Sequence, residues 1–166
     1  MPAVGDLLGG KYRLERLLGE GGMATVFAAE NTWTGRRVAI KTILPSMLRV
    51  EGVLDRFRIE ARAASQVRHP NVIDVLDLGV DPDTGLPFIV QEYLDGETLQ
   101  AWLDRLGDRC FMPVEAVTLM LPIIDALAAA HAQSVVHRDL KPSNVFIVRG
   151  AEGQPVPKVI DFGISK

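Results

Sequence analysis

The stretch Val136-His137-Arg138-Asp139-Leu140-Lys141-Pro142-Ser143-Asn144 decides how the rest of this chain is read. It sets a carboxylate, an amine and an amide within one short loop. Asp139 can accept a proton from a hydroxyl. Lys141 can neutralise a phosphate oxygen, and Asn144 can turn its carbonyl oxygen toward a metal ion. A plain polar turn between two buried segments would carry the same residues, so the motifs on either side have to decide between the two.

Composition limits the choices. The chain of 166 residues is long enough for one domain with a core, and 48% apolar with 23% charged residues is ordinary for a soluble globular protein. A net charge of −3 offers no basic field to nucleic acid or anionic lipid, so any phosphate binding must be local. Cys110 is the one cysteine, which rules out an intrachain disulfide and fits a reducing cytoplasm. It is expected to be a small, at least half-buried apolar residue. The N-terminus shows no basic segment followed by an apolar run, the pattern of a signal peptide. The most apolar stretch, residues 114–132, carries Glu115 and Asp125 and contains Pro122; it is expected to be too short and too charged to span a bilayer.

Upstream, residues 1–10 form a lead-in, and Tyr12, Leu14 and Leu17 start a strand pattern over residues 11–18. Leu18-Gly19-Glu20-Gly21-Gly22-Met23-Ala24-Thr25-Val26 follows, leading into a strand over residues 25–30. Glycines let the backbone approach a ligand and aim bare N–H groups at phosphate. Between two strands this is not the loop that opens a dinucleotide-binding helix, although a plain glycine-rich hairpin reads the same way. After a turn over residues 31–36, residues 37–43 alternate as a strand, with Ala39, Lys41 and Ile43 on one face. A lysine so placed is ordinarily an exposed edge charge. Residues 54–67 read as a helix with Leu54, Phe57, Ala61, Ala64 and Val67 along one stripe. Glu60 lies beside it, by default a solvated charge with Arg56 as its surface partner. His69-Pro70-Asn71 stops the helix, with His69 as a capping or packing residue. Residues 72–80 and 86–91 read as strands joined by the turn Asp81-Pro82-Asp83-Thr84-Gly85.

Helices are expected over residues 98–106 and 113–133. The second has Val114, Val117, Leu121, Ile124, Ala128 and His131 on one face and should kink or split at Pro122. After Asn144 come a strand over 145–148, a Gly/Pro-rich turn over 149–157, a strand over 158–160 and Asp161-Phe162-Gly163.

In this order the motifs resemble those of one family. His137-Arg138-Asp139-Leu140 with Asn144 matches the protein kinase pattern H-R-D-L-x-x-x-N in full. Gly19, Gly21 and Val26 match the kinase glycine-rich loop, with Ala24 in place of its third glycine. Val38-Ala39-Ile40-Lys41 is similar to the third strand of the small lobe, and Asp161-Phe162-Gly163 follows Asn144 at kinase spacing. The chain thus resembles a bacterial-type serine/threonine protein kinase. Lysine at position 141 goes with Ser/Thr rather than Tyr substrates in that family.

The resemblance implies an α+β, protein-kinase-like fold. Residues 1–92 would form a small lobe of a five-stranded antiparallel sheet plus one helix. Residues 93–166 would form the hinge and part of a mainly helical large lobe. It implies ATP under the loop Leu18, Gly19, Glu20, Gly21, Gly22, Met23, Ala24, Thr25 and Val26. Lys41 would hold the α/β-phosphates, fixed by Glu60 rather than by Glu51, which sits too near the helix start. Val26, Ala39 and Phe146 would enclose adenine, and backbone groups of Glu92 and Leu94 would hydrogen-bond it. Gln91 would stand at the back of that pocket, and Glu97 near the ribose unless it is only a helix-start carboxylate. Asp139, Lys141 and Asn144 would be catalytic. Asn144 and Asp161 would hold Mg²⁺, with Mn²⁺ as a substitute, and Gly163 would let the backbone turn. His137 and Phe162 would be apolar scaffolding, His131 would pack on the catalytic loop, and Arg138 would await a phosphate on the activation loop.

The sequence runs three residues past Gly163, without an activation segment, an Ala-Pro-Glu motif or later helices. Apolar surface on the far side of the 113–133 helix is therefore expected to be exposed and to favour self-association. Two functional classes follow: a phosphotransferase acting from Mg-ATP on Ser/Thr hydroxyls of a protein, and a non-catalytic nucleotide- or partner-binding module. A small-molecule phosphotransferase would be less similar to kinases around Arg138 and Lys141.

Overall fold

Alternating apolar residues between residues 7 and 92 build an antiparallel sheet, seen in a computed structural model that describes residues 2–107 and 110–162. Its strands are β1 (Leu7–Leu8), β2 (Tyr12–Glu20), β3 (Ala24–Asn31), β4 (Arg36–Ile43), β5 (Val75–Val80) and β6 (Pro87–Glu92), in the order β1-β2-β3-β4-β6-β5. Five of these match expected strands. The sixth, β1, is a two-residue edge inside the lead-in, too short to show alternation. The helix α1 (Val53–Gln66) lies between β4 and β5 in the chain. By contacts the chain divides into two units, residues 1–61 with 74–93 and residues 62–73 with 94–166.

In the first unit the sheet has two unlike faces. Leu8, Tyr12, Leu14, Phe27, Ala29, Val38, Ile40, Phe88 and Val90 cluster on one. On the other, Ile43 and Ile89 pack against Val53, Phe57 and Ala61 of α1. Leu54, expected in that stripe, is only half-buried, and Val53 one position earlier takes its place. The two edges of the sheet are fastened together by side chains. Asp81 Oδ1 accepts from the Gly9 amide at 2.9 Å, and Asp77 Oδ2 accepts from Lys11 Nζ at 3.2 Å and Tyr12 Oη at 3.3 Å. The Phe88 ring fits there because a Cβ on Gly9 or Gly79 would come within 2.7 or 2.5 Å of its Cζ.

The second unit holds β7 (Gly96–Thr98), α2 (Leu99–Leu106), α3 (Pro113–Ala132), β8 (Val145–Arg149) and β9 (Pro155–Val159), with the sheet order β7-β8-β9. Thr98 caps α2 through Ala101 N at 3.1 Å. The turn between β8 and β9 spans only residues 150–154, because Pro155 and Pro157, read as turn residues, lie in the outer strand β9. Proline is tolerated there because an outer strand leaves amides unused.

Four expectations about α3 and its flank are corrected. Pro122 does not split the helix, which is continuous from Pro113 to Ala132. Its buried residues are Leu119, Ile123, Ala126 and Ala130, whereas Val114, Val117, Leu121, Ile124, Ala128 and His131, the stripe read as a face, are exposed. A helix that is apolar nearly all round carries no periodicity strong enough to say which stripe turns inward. The exposed stripe agrees with the apolar surface expected on this helix. At 20 residues α3 is also long and apolar enough, by length and composition, to cross a membrane, contrary to the earlier estimate. Cys110 is exposed rather than half-buried.

Candidate active site

Lys41 sits in β4 opposite Val26 of β3 and Ile89 of β6, so apolar neighbours on both sides strip water from it. The residue is 8% exposed. A lysine that buried needs an anion. α1 supplies one: its apolar stripe packs on the same face of the sheet, and this brings Glu60 Oε1 to 2.5 Å from Lys41 Nζ. The ordinary readings of both residues, an edge charge and a solvated helix carboxylate, are thereby set aside.

The glycine-rich segment joins β2 to β3. Gly21 N donates to Ala24 O at 2.8 Å, and Leu44 N donates to Met23 O at 2.9 Å. Leu18 through Met23 are exposed, whereas Ala24 and Val26 are half-buried and Thr25 is buried. A Cβ on Gly19 or Gly22 would meet nothing within 4 Å, so side chains do not fill the space beside that backbone. Such a loop fits a phosphate chain approaching bare amides.

Where the first unit ends, Glu92 is tied to the start of β5's segment: its amide donates to Asp74 O at 3.0 Å and its carboxylate accepts from Asp74 N at 2.9 Å. Ala39 and Gln91 are buried cross-strand partners, and Leu94 is half-buried. Sequence reasoning passed over Tyr93. Its hydroxyl accepts from Arg16 Nη2 at 2.6 Å, and its ring lies 5.2 Å from Arg37 Cζ. Contacts between residues this far apart in the chain leave no local pattern to read.

In the second unit the loop around Asp139 is built by its own hydrogen bonds. Lys141 Nζ lies 2.7 Å from Asp139 Oδ2. Asn144 Nδ2 donates to Asp139 O at 2.8 Å and to Oδ2 at 3.2 Å. With its nitrogen turned to Asp139, Asn144 has Oδ1 as the atom able to serve a metal. The Lys141 hydrogen bond, aided by the charge of Lys141 and the amide of Asn144, holds the Asp139 carboxyl below the usual carboxylate range against a smaller opposing cost of burial. His137 is buried, its Nε2 donating to Ile160 O at 3.1 Å and its ring 5.0 Å from that of Phe162. Both rings are thus the scaffolding expected of them, joining the loop to the residues before Asp161. Asn144 adds to this link, its backbone carbonyl accepting from Ile160 N at 2.9 Å.

Two non-glycine residues here have left-handed backbone, Arg138 (φ 61°) and Asp161 (φ 53°). Such conformations are costly and persist where the surroundings impose them, as at functional sites. Phe146 of β8 is half-buried between Thr98 and Lys158 in the ladder. Gly163 lies outside the described residues. Among the described residues no three His, Cys, Asp or Glu side chains gather as a metal cage. Mg²⁺ commonly binds through one or two protein oxygens and substrate phosphates, so this donor set fits it.

Two smaller expectations are corrected. His131 is exposed and does not pack on the catalytic loop. Glu97 does not start α2, whose cap is Thr98; it lies in β7 and pairs with Arg105. Of the two readings of His69, its contacts favour packing over capping: Nδ1 accepts from Asn71 N at 3.1 Å in the segment after α1, and Nε2 lies 3.1 Å from Asp125 Oδ2.

A curled antiparallel sheet with a lysine–glutamate pair, and a separate loop with an Asp-Lys-Asn constellation, define a protein-kinase-like fold. The protein kinase domain family matches residues 12–166, and the chain belongs to that family. It is 39% identical over 160 residues to the serine/threonine-protein kinase Pkn1 of Myxococcus xanthus, covering 95% of this chain and 22% of that protein. With the serine/threonine-protein kinase PrkC of Bacillus subtilis it shares 38% identity over 162 residues, 98% of this chain and 24% of that one. Among solved structures, the kinase domain of PknI from Mycobacterium tuberculosis superposes with a TM-score of 0.82 at 26% identity, covering all of this chain and 64% of that one. The chain thus spans about a quarter of the length of these curated relatives.

Proposed function

We propose that this chain is part of an ATP-dependent protein serine/threonine kinase, moving the γ-phosphoryl group of Mg-ATP to Ser or Thr hydroxyls of a protein. The observation that carries the reading is the Asp139 carboxylate held by both Lys141 and Asn144 at 2.7 and 3.2 Å within one loop. Phosphoryl transfer needs in-line positioning and cancellation of oxygen charge more than covalent help from the protein.

Asp139 orients the acceptor hydroxyl. Held below the ordinary carboxylate range, it is ionised at neutral pH and a weak base, so it takes the proton late, as the acceptor oxygen bonds to phosphorus. Lys141 follows the migrating charge with an ammonium that already touches Asp139. Lys41, steadied by Glu60, grips the α/β-phosphates, and the amides from Gly19 to Thr25 line the phosphate chain. Leu18, Val26, Ala39 and Phe146 enclose the base, which backbone groups of Glu92 and Leu94 receive. Mg²⁺, or Mn²⁺ in its place, would be held by Asn144 Oδ1 and Asp161 and would neutralise phosphate oxygens when bound. Arg138 stands ready for an activating phosphate. A cytoplasmic setting suits the single, exposed cysteine.

Transfer of label from radioactive ATP to a generic Ser/Thr-bearing protein tests the reading, with Asp139→Asn as the comparison. Loss of about 10²–10⁴-fold in the variant is expected. ATP binding without phosphate transfer by the whole protein that carries this chain would overturn it in favour of a nucleotide-binding module.

A further inference from the structure

The cluster of Arg16, Arg37 and Tyr93 has no role in the chemistry above. Arg16 of β2 lies opposite Ala28, which lies opposite Ala39 of β4; Arg37 precedes Ala39 by two residues. Alternation puts both arginines on the sheet face that carries Val26, Ala39 and Lys41. Tyr93 follows Glu92, whose partner is Val38, and so stands where the ladder would next bring it against Arg37. There its hydroxyl accepts from Arg16 at 2.6 Å, while its ring lies 5.2 Å from Arg37 Cζ and 6.0 Å from Arg16 Cζ. Arg37 is steadied in turn by Glu15 at 3.4 Å. Side chains from β2 and β4 thus hold one ring at the point where β6 has ended.

We propose that Arg16 and Arg37 are positioning residues for adenine-nucleotide binding, acting through Tyr93 on the backbone that receives the base. The assignment rests on the kinase reading, in which that backbone belongs to Glu92 and Leu94. A chain leaving a sheet loses its ladder partners and opens easily. A fastened ring restrains the backbone on either side of it, and a receptor ordered beforehand spends less of its binding energy on ordering itself. Arg16 and Arg37 are both exposed, and exposed pairs add little to stability. The cluster therefore acts on affinity far more than on melting temperature.

Three features distinguish this role from a merely structural one. The base should feel it and the phosphates should not, the two partners of the hydrogen bond should act as one, and stability should barely move. The protein is titrated with a fluorescent ATP analogue in competition with adenosine and, separately, with Mg-tripolyphosphate. Arg16→Gln and Tyr93→Phe are each expected to weaken adenosine binding roughly three- to tenfold, the reach of one net hydrogen bond with part of a cation–π contact. The double variant should lose no more than either single one. Tripolyphosphate competition should hold, and melting should stay within about 2 °C of wild type. Unchanged adenosine affinity, additive losses, or equal losses for adenosine and tripolyphosphate overturn this assignment while leaving the kinase reading in place. A wild-type protein that binds neither ATP nor adenosine overturns that reading, and this assignment with it.

Discussion

Replacing Glu60 by alanine removes the carboxylate 2.5 Å from Lys41 Nζ, and the structure sets how much this costs. The two side chains are 11% and 20% exposed, between the surface pairs that contribute under about 1 kcal/mol and the buried pairs whose breakage costs about 3–5 kcal/mol. A single Glu60→Ala change should therefore cost about 3 kcal/mol, a fall in melting temperature of roughly 6–12 °C for a domain of this size. Lys41→Met should cost less, because methionine fills much of the same space without a charge to bury. The informative quantity is the coupling. Thermal and urea unfolding of wild type, both single variants and the double variant close a double-mutant cycle, and the interaction energy should be about 2 kcal/mol. In the Lys41→Met background, Glu60→Ala should thus cost only about 1 kcal/mol. Costs that add to within about 0.5 kcal/mol would refute the reasoning, since the pair would then be a proximity without energetic content.

Other consequences are open to direct measurement. Lys141 depresses the Asp139 carboxyl below its ordinary value of 3.8, so Asp139 contributes stability that is complete above that pH and lost as pH falls through the lower folded value. Lys141→Met should flatten the pH dependence of melting below about pH 4 by lowering the neutral end of the profile toward its acid end, which stays where it is in wild type; a flat wild-type profile there would contradict it. Gly96→Ala places a Cβ 2.0 Å from the Ile147 carbonyl oxygen and should cost about 3 kcal/mol, with hydrogen-exchange protection lost first in β7 and β8. Asp81 is buried, which opposes its ionisation, but hydrogen bonds from the Thr84 hydroxyl and the amides of Gly9 and Thr84 outweigh this and hold its carboxyl below the usual range. Asp81→Ala should cost about 2–3 kcal/mol in denaturant unfolding, and wild type should lose this contribution as pH falls below 3.8.

What could be read from the residues was what repeats at a short period. Alternation located the strand that carries Lys41, and the stripe of Phe57, Ala61 and Ala64 located the helix that carries Glu60; their pairing was implied only by the kinase resemblance, and the two are in contact. The sequence placed Asp139, Lys141 and Asn144 in one short loop, but the hydrogen bond by which Asn144 closes it onto Asp139 was not foreseen. The inward stripe of α3 was misread because Leu, Ile, Val and Ala occupy nearly every position, so periodicity had no contrast to work with. Pro155 and Pro157 looked like turn residues because local propensity knows nothing of which strand ends up outermost. β1 was too short to see, and the Tyr93 cluster depends on residues brought together only by the sheet.

The fastening of the small sheet by Asp77 and Asp81 bears on how the chain survives in a crowded solution. An outermost strand normally offers a row of unused amides and carbonyls on which a foreign strand can template itself, the first step toward fibrils. Here one border is only two residues long, and Lys11 and Tyr12 reach from beside it to Asp77 in the other. Two acidic side chains thus make an open ribbon behave more like a closed ring, with little left for a stranger to zip onto.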